Sequence, residues 1–485
     1  MGEDSSPSDD TIRPVGLGAC NVGWIKAGII FLLTLVAVAN FAPHDQGNPQ
    51  QVTRFGLALA LSEGRVEIDR FADLTVDIAS YDGHLYADKP PGLSLLAVPA
   101  VVAAKAALGL PAEAWPLTQQ QFYLLMKAAT VSTIGVLAAL AATVLYLLAL
   151  RLGASEAGAL LASCALALGT PFLPWSTAFF AHVATGSVLL LAVGLVIWAR
   201  GQERRWVSPV LGLLLGFELT IDLLAGPAVA LIALFYVLDN REAWLARLVG
   251  GLVGGLIGLM PLLVYNQLAF DSPFRLGYSQ VVGFEGMKQG LFGLTAPSPA
   301  VALEILFGLH RGLLPLAPIL LLVPVGWWAM WRRRDLRTLA ALSIGVAACF
   351  VLLNASYFYW DGGSSTGPRH LIGMLPLLAV ALAFVWPRNA WLKGGVVALL
   401  GVSMAIAGAV TVVEVFADVR YPVPLLDPIL SGLFTPEGLA GMARLLVPWL
   451  GFAALTLLRE RPSRAQRDQL PARPLDASLE VKLEE

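Results

Sequence analysis

Residues 91–110 read PGLSLLAVPAVVAAKAALGL, and whether this run crosses a membrane decides the face on which every later segment lies. It has the length of a span, since about 20 apolar residues bridge a hydrocarbon core. It is also bracketed by Pro90, Pro91 and Pro111, contains Pro99 and carries Lys105. Apolar runs of about span length also occur at 24–43, 127–150, 155–173, 178–199, 206–222, 224–239, 247–266, 313–331, 337–355, 370–386, 392–415 and 443–458. Lys and Arg in short connections mark the cytoplasmic side. If 91–110 does not cross, that side receives Arg151, the Arg200/Arg204/Arg205 group, Arg241 with Arg247, and Arg332–Arg333–Arg334 with Arg337. Arg388 with Lys393 and the tail residues Arg459, Arg461, Arg464 and Arg467 join them. If it crosses, all of these move outside. The run is therefore read as lying on, or dipping into, the outer leaflet.

The expected fold is an all-α polytopic membrane protein with about 12 transmembrane helices, within a range of 11–13, and both termini in the cytoplasm. Juxtamembrane helices are expected in the first outer loop, 44–126, where residues 51–62 alternate as an interfacial amphipathic helix would. Composition agrees: 57% of the 485 residues are hydrophobic and 14% are charged, against roughly a quarter charged in soluble domains. Residues 1–23 form a polar cytoplasmic segment, 24–458 a single transmembrane domain, and 459–485 a charged, Pro-containing cytoplasmic tail expected to be disordered. The 24–43 run exceeds a signal h-region and reads as a retained span. A net charge of −2 without basic, aromatic-interleaved patches excludes nucleic acid as a partner. Cys20, Cys164 and Cys349 are too far apart for a metal or disulfide framework.

With this parity the long connections 44–126, 267–312, 356–369 and 416–442 share the outer face. The first is HDQGNPQQVTRFGLALALSEGRVEIDRFADLTVDIASYDGHLYADKPPG from His44 onward. Asp45 directly follows the first span, where a carboxylate suits a general base for an acceptor hydroxyl; Asp77, deeper in the loop, competes for that role. Lys89 precedes Pro90–Pro91, whose extended backbone presents an ammonium at headgroup level, suited to a phosphate or to simple snorkelling. Arg369 and His370 follow the Gly- and Ser-rich turn of YFYWDGGSSTGPRH, and Arg311 in LHRGLL sits comparably near a span end. Guanidinium forks and glycine backbone suit phosphate oxygens. Asp82, His84, Tyr86, Trp360 and Asp361 complete the candidate pocket, with His182 and Asp222 near the outer ends of spans. Ionisable groups at membrane depth are functional suspects, although helix–helix hydrogen bonding accounts for His182 or Asp222 equally well. Asp45, Asp77, Asp222 and His182 have the chemistry for a divalent cation, but no spacing demands one.

An acidic residue after the first span, then TRFGLALALSEGRVEID and DGHLYADKPPG, is an order that resembles the membrane glycosyltransferases of the GT-C superfamily. The likeness continues through GTPFLPWSTAFFAH, YNQLAFDSPFRLGY, FGLHRGLL and WDGGSSTGPRHLIGMLP, covering most of the chain from about 24 to 390. That superfamily uses polyprenyl-phosphate sugars and includes protein mannosyltransferases and the aminoarabinose transferase of lipid A. The resemblance implies a hexosyl- or pentosyltransferase of a bacterial inner membrane, with an extracytoplasmic active site. It also implies Asp45 as the carboxylate, Lys89 on the lipid phosphate and Arg369 as a late phosphate-binding arginine. The sequence departs from the pattern by reading His44–Asp45–Gln46 where many relatives have Asp-Glu, which leaves the base open between Asp45 and Asp77.

The expected partners are membrane lipids, a polyprenyl-phosphate-linked sugar, and a lipid, polysaccharide or protein acceptor. No cofactor is certain, and no nucleotide-binding glycine loop appears. The rival readings are a transporter or flippase of lipid-linked sugars, which favours midplane charges and inverted repeats, and a glycan ligase or polymerase.

Overall fold

A computed structural model describes residues 20–458 apart from 202, 203, 240 and 241. The predicted tail, Arg241 and nearly all of the N-terminal segment lie outside the described residues. Seven helices are long and apolar enough to cross a membrane: Val22–Ala39, Gln119–Arg151, Ala181–Ala199, Trp244–Phe270, Arg334–Ser356, Ala390–Val413 and Pro436–Leu455. The chain is thus a multi-pass membrane protein, and each of these helices falls on a predicted run. Four more runs are occupied by shorter apolar helices, Glu156–Leu168, Val207–Ile221, Leu223–Asp239 and Arg369–Leu382. The 313–331 run is broken into Leu313–Leu316, a 3₁₀ segment Pro318–Leu322 and Val323–Arg332. Pro315, Pro318 and Pro324 explain the breaks, since each lacks an N–H and crowds the preceding turn.

Glycines let the Val207–Ile221 and Trp244–Phe270 helices pack backbone to backbone. A β-carbon on Gly212 would overlap the Gly251 carbonyl, one on Gly216 that of Gly255, and one on Gly254 that of Pro209. Small residues at such crossings let helices associate where lipid offers no hydrophobic drive. Gly212→Val should cost at least about 3 kcal/mol by overpacking, seen as loss of monodisperse protein in detergent chromatography; an unchanged profile would contradict this packing.

The basic connections converge at one rim. Arg151 donates to the Trp198 carbonyl at 3.2 Å, Arg200 pairs with Asp239 at 2.9 Å, and Arg247 approaches the same carboxylate at 3.7 Å. At the opposite rim, the His44 amide donates to the Thr177 carbonyl at 2.9 Å, and the Val415 amide donates to His44 Nε2 at 3.2 Å. The first loop is built on this second rim.

The Gly92–Ala107 helix packs on the Pro49–Leu61 helix and on the Gln119–Thr130 turns of the helix that ends at Arg151. That long helix, Gln119–Arg151, spans 33 residues, or about 50 Å at ~1.5 Å per residue, against a hydrocarbon core of about 30 Å. The neighbour of Gly92–Ala107 is therefore the part of that helix farthest from Arg151. Buried Lys105 pairs with Glu63 at 3.0 Å, and Glu63 also takes hydrogen bonds from Arg65 and Arg70. This cluster ties the far ends of both loop helices together.

Two expectations are corrected. The Pro49–Leu61 helix is not interfacial: residues 50–60 are all buried inside the protein. Nor is the fold wholly α: Ile78–Tyr81 and His84–Ala87 form an antiparallel hairpin with Tyr81 opposite His84. Its two-residue turn, Asp82–Gly83, has φ of 47° and 81°, the twist that suits tight hairpins and that Asp-Gly readily adopts.

Candidate active site

The hairpin register carries the chemistry. Because Ile78 faces Ala87, the next residues outward, Asp77 and Asp88, leave the ladder together, and Lys89 follows. All three line a cavity of about 540 Å³ at the second rim, along with Arg54, His182, Asp222, Tyr278, Tyr357, Tyr359, Arg369 and His370. Six predicted site residues, Asp77, Lys89, His182, Asp222, Arg369 and His370, are thus brought together from separate segments of the chain.

Each is held by local structure. Asn48 caps the Pro49–Leu61 helix by accepting from the Gln50 amide at 3.1 Å, and Pro49 occupies its first turn. Fully buried Gln51 donates to the His44 carbonyl at 2.7 Å and accepts from the Phe179 amide at 2.7 Å. One turn later, Arg54 points into the cavity. Its Nε and one terminal nitrogen are buried with no hydrogen-bond partner in the protein. Burial pulls its pKa down, while the neighbouring acids and Tyr278 oppose that pull.

Lys89 donates to the Asp88 carboxylate and lies 5.9 Å from the Tyr278 ring centroid. Burial disfavours its charge, but Asp88 and Asp77 outweigh that and raise its pKa. Burial also pushes the Asp88 pKa up, partly offset by Lys89. Lys89 is the cation of this pair. Arg369 lies over the Phe180 and Tyr359 rings at 5.4 and 6.0 Å, and its Nε is also without a partner. Gly362, at φ 73°, leaves room for it: a β-carbon there would come within 2.9 Å of that Nε.

The remaining predicted residues lie elsewhere. Asp45 is exposed, and its carboxylate turns back to accept from the Gly47 amide at 3.0 Å. Asp82 sits in the hairpin turn, and exposed His84 pairs with Asp69 at 2.7 Å. Tyr86 packs on Phe270 at 5.2 Å between centroids. Trp360 packs against the hydrophobic core, and the Asp361 carboxylate accepts from the Gly363 amide at 2.9 Å. Arg311 is fully buried and donates to three backbone carbonyls: Asp361 at 3.1 Å, Gly363 at 2.9 Å and His310 at 3.3 Å. It braces the glycine turn and does not reach the cavity.

Arg311→Lys cannot reproduce that fork and should cost about 2 kcal/mol or more. Thermal unfolding in detergent measures this; an unchanged midpoint would remove the bracing role.

Sequence reading missed Arg54, Asp88, Tyr278, Tyr357 and Tyr359 as cavity residues. For Asp88 the Asp82–Gly83 turn is a usable signal, since it sets the hairpin register. Among the described residues, no group of three or more His, Cys, Asp and Glu is arranged to hold a metal ion. Asp77, Asp222 and His182 line the cavity, whereas Asp45, the fourth member of the set suggested by ligand chemistry, does not.

Fold and site together define a class: a polytopic membrane protein with a cavity of cations and carboxylates at one rim. Within that class the fold is similar to that of ArnT. The structure of ArnT from Cupriavidus metallidurans bound to undecaprenyl phosphate aligns with TM-score 0.53 at 16% identity, over 90% of this chain and 73% of that one. Its apo form gives 0.52 at 16% identity, over 90% and 72%. AglB, an oligosaccharyltransferase from Archaeoglobus fulgidus solved with an inhibitory peptide and a dolichol-phosphate, gives 0.47 at 11% identity, over 93% and 62%. No protein-family model and no curated protein matches the chain. At such identity the ArnT likeness shows a shared fold and nothing finer.

Proposed function

We propose that this chain is an integral-membrane glycosyltransferase. It moves a sugar from a polyprenyl-phosphate donor to an acceptor hydroxyl at the non-cytoplasmic face of a bacterial inner membrane. The observation that carries the reading is Arg54. Its buried guanidinium has two nitrogens without protein partners in the same cavity as Lys89 and Arg369. Three cations from three segments around one space suit the oxygens of a phosphate monoester or diester. Apolar Leu223, Leu224, Pro227 and Leu353 in the same lining suit the start of a lipid chain. The ArnT structure with undecaprenyl phosphate has this fold.

In the proposed reaction the acceptor oxygen attacks the anomeric carbon from the face opposite the phosphate, so configuration inverts. Asp77 takes the hydroxyl proton as the new C–O bond forms. The bond to the phosphate oxygen breaks, and its electron pair leaves on the polyprenyl phosphate, where Arg54, Lys89 and Arg369 stabilise the added charge. Preorganised donors of this kind contribute about 3–4 kcal/mol each. Asp77 rather than Asp45 is the base because Asp77 lines the cavity and Asp45 does not.

The proposed topology has twelve crossings, with 91–110 at the outer surface and the arginine rim, both termini and the 459–485 tail in the cytoplasm. The basic connections on one rim and the cavity on the other support it. The region 24–458 is then one catalytic domain, with the first outer loop at 44–126. The acceptor is a lipid, a polysaccharide or a protein.

The test is transfer of radiolabelled sugar from synthetic polyprenyl phosphates to envelope extracts by the purified chain. Labelled lipid crossing liposomes without any transfer would replace this reading with a transporter.

A further inference from the structure

A side recess of about 20 Å³ opens from the main cavity where four helix ends meet. A space of ~10–15 Å³ by this measure holds one water, so the recess admits a single small substituent and no ring. Its polar lining is His182, Asp222, Asn354, His370 and Tyr357, whose hydroxyl is directed to the Met287 sulfur at 3.5 Å, and its apolar wall is Leu224, Phe350 and Leu353. His182, Asp222 and His370 line the main cavity too, so the recess is continuous with it.

Its polar atoms are unusual in lacking partners. Asn354 is 2% exposed, and neither its amide nitrogen nor its oxygen has a hydrogen bond; His182 Nε2 and His370 Nε2 are likewise buried and unpartnered. Buried polar groups normally find partners, so each unsatisfied one calls for an account. The two imidazole rings are 5.4 Å apart between centroids, and His182 Nδ1 lies 3.9 Å from Asp222. Asp222 already accepts from the Leu224 amide at 3.0 Å, which fixes its carboxylate.

A carboxamide and two imidazoles offer both donors and acceptors at close quarters. That set suits a hydroxyl, which gives one proton and accepts others. It does not suit a phosphate, for which the donors stand apart at Arg54, Lys89 and Arg369. The Phe350 and Leu353 wall suits a methylene before the hydroxyl. One carbon and one hydroxyl, branching from a larger group in the main cavity, are the exocyclic arm of a hexose.

We propose that this recess binds the hydroxymethyl arm of the transferred sugar, making the protein a hexosyltransferase with Asn354 as a specificity-determining residue. This rests on the glycosyltransferase reading above and assigns its donor.

The experiment uses the full chain in detergent with pairs of synthetic polyprenyl-phosphate sugars that differ only in the hydroxymethyl group: glucose and xylose, galactose and arabinose, mannose and lyxose. For whichever pair is used, the hexosyl donor should have the higher kcat/KM by at least about 100-fold, since a site built for a hydroxyl rejects analogues lacking it. Asn354→Leu should collapse that ratio towards one. Thermal stabilisation of this variant by undecaprenyl phosphate, which carries no sugar, should persist and report an intact fold. If Asn354→Leu does not fold, Asn354→Ser should show a reduced ratio. Transfer from pentosyl and hexosyl donors at equal rates would overturn the recess assignment while leaving the transferase standing. An unchanged ratio in the Asn354 variants would overturn it equally. No transfer from any donor, by contrast, would remove the enzymatic reading itself.

Discussion

Asp77→Asn should lower sugar transfer by about 10²–10⁴-fold, the usual contribution of a positioned general base, with little change in the affinity for undecaprenyl phosphate. Asp77 lines the cavity at the hairpin end beside Asp88 and Lys89, so an amide there keeps the shape and removes only the capacity to take a proton. The matched control is Asp45→Ala. That carboxylate is exposed and accepts from the Gly47 amide, so transfer should stay within about twofold, as for surface changes away from special features. Initial rates with labelled donor decide the matter. A dead Asp45 variant beside an active Asp77 variant would reverse the assignment and require the 44–48 turn to move into the cavity.

Arg54→Met should have opposite effects on the free and lipid-bound protein. In the free protein Arg54 is a buried cation with two nitrogens lacking partners, and burial disfavours its charged form. A desolvated charge without hydrogen-bonding partners carries a penalty of several kcal/mol, which an apolar side chain of similar length avoids. The unfolding midpoint of the lipid-free variant should therefore be equal to or higher than that of the parent. Binding of undecaprenyl phosphate should fall by about 100-fold or more, because losing one partner of a buried charge pair costs about 3–5 kcal/mol. Thermal scans with and without the lipid give both numbers. A variant that is less stable when free yet binds normally would make Arg54 a structural residue, and the phosphate site would then lose the observation on which it was based.

The predicted site residues that lie away from the cavity share one cause. Sequence position records how near a residue is to a span, while a side chain's role depends on where it points. Asp45 follows the first span directly, but its own turn captures the carboxylate. Arg311 has the expected level and charge, yet its fork is consumed by the carbonyls of the glycine turn. Asp82 and His84 fall at the hairpin tip, three or more residues from the strand ends that meet the cavity. The Asp-Gly turn was the available signal. Recognising it would have set the register and placed Asp77 and Asp88 together.

Arg54 was harder to read. Its helix has apolar residues at helical spacing, and a lone charge on such a helix ordinarily marks the solvent face. Burial on every side of Pro49–Leu61 turns the same residue inward.

Hydrophobic run length and the distribution of Lys and Arg, both local or additive properties, were enough by themselves to establish a multi-pass chain, the places of its long helices and the grouping of its basic connections. The placement of the outer loops also singled out Asp77 and Lys89 in the first of them, and Arg369, His370, His182 and Asp222 at span ends, where polar groups are costly and so stand out. Only the tertiary structure decided which of the candidates share one cavity, that Arg54 belongs with them, and that Asp45 and Arg311 do not. Those outcomes depend on side-chain direction and on hydrogen bonds between segments more than a hundred residues apart, such as that from Phe179 to Gln51. No local pattern encodes such bonds.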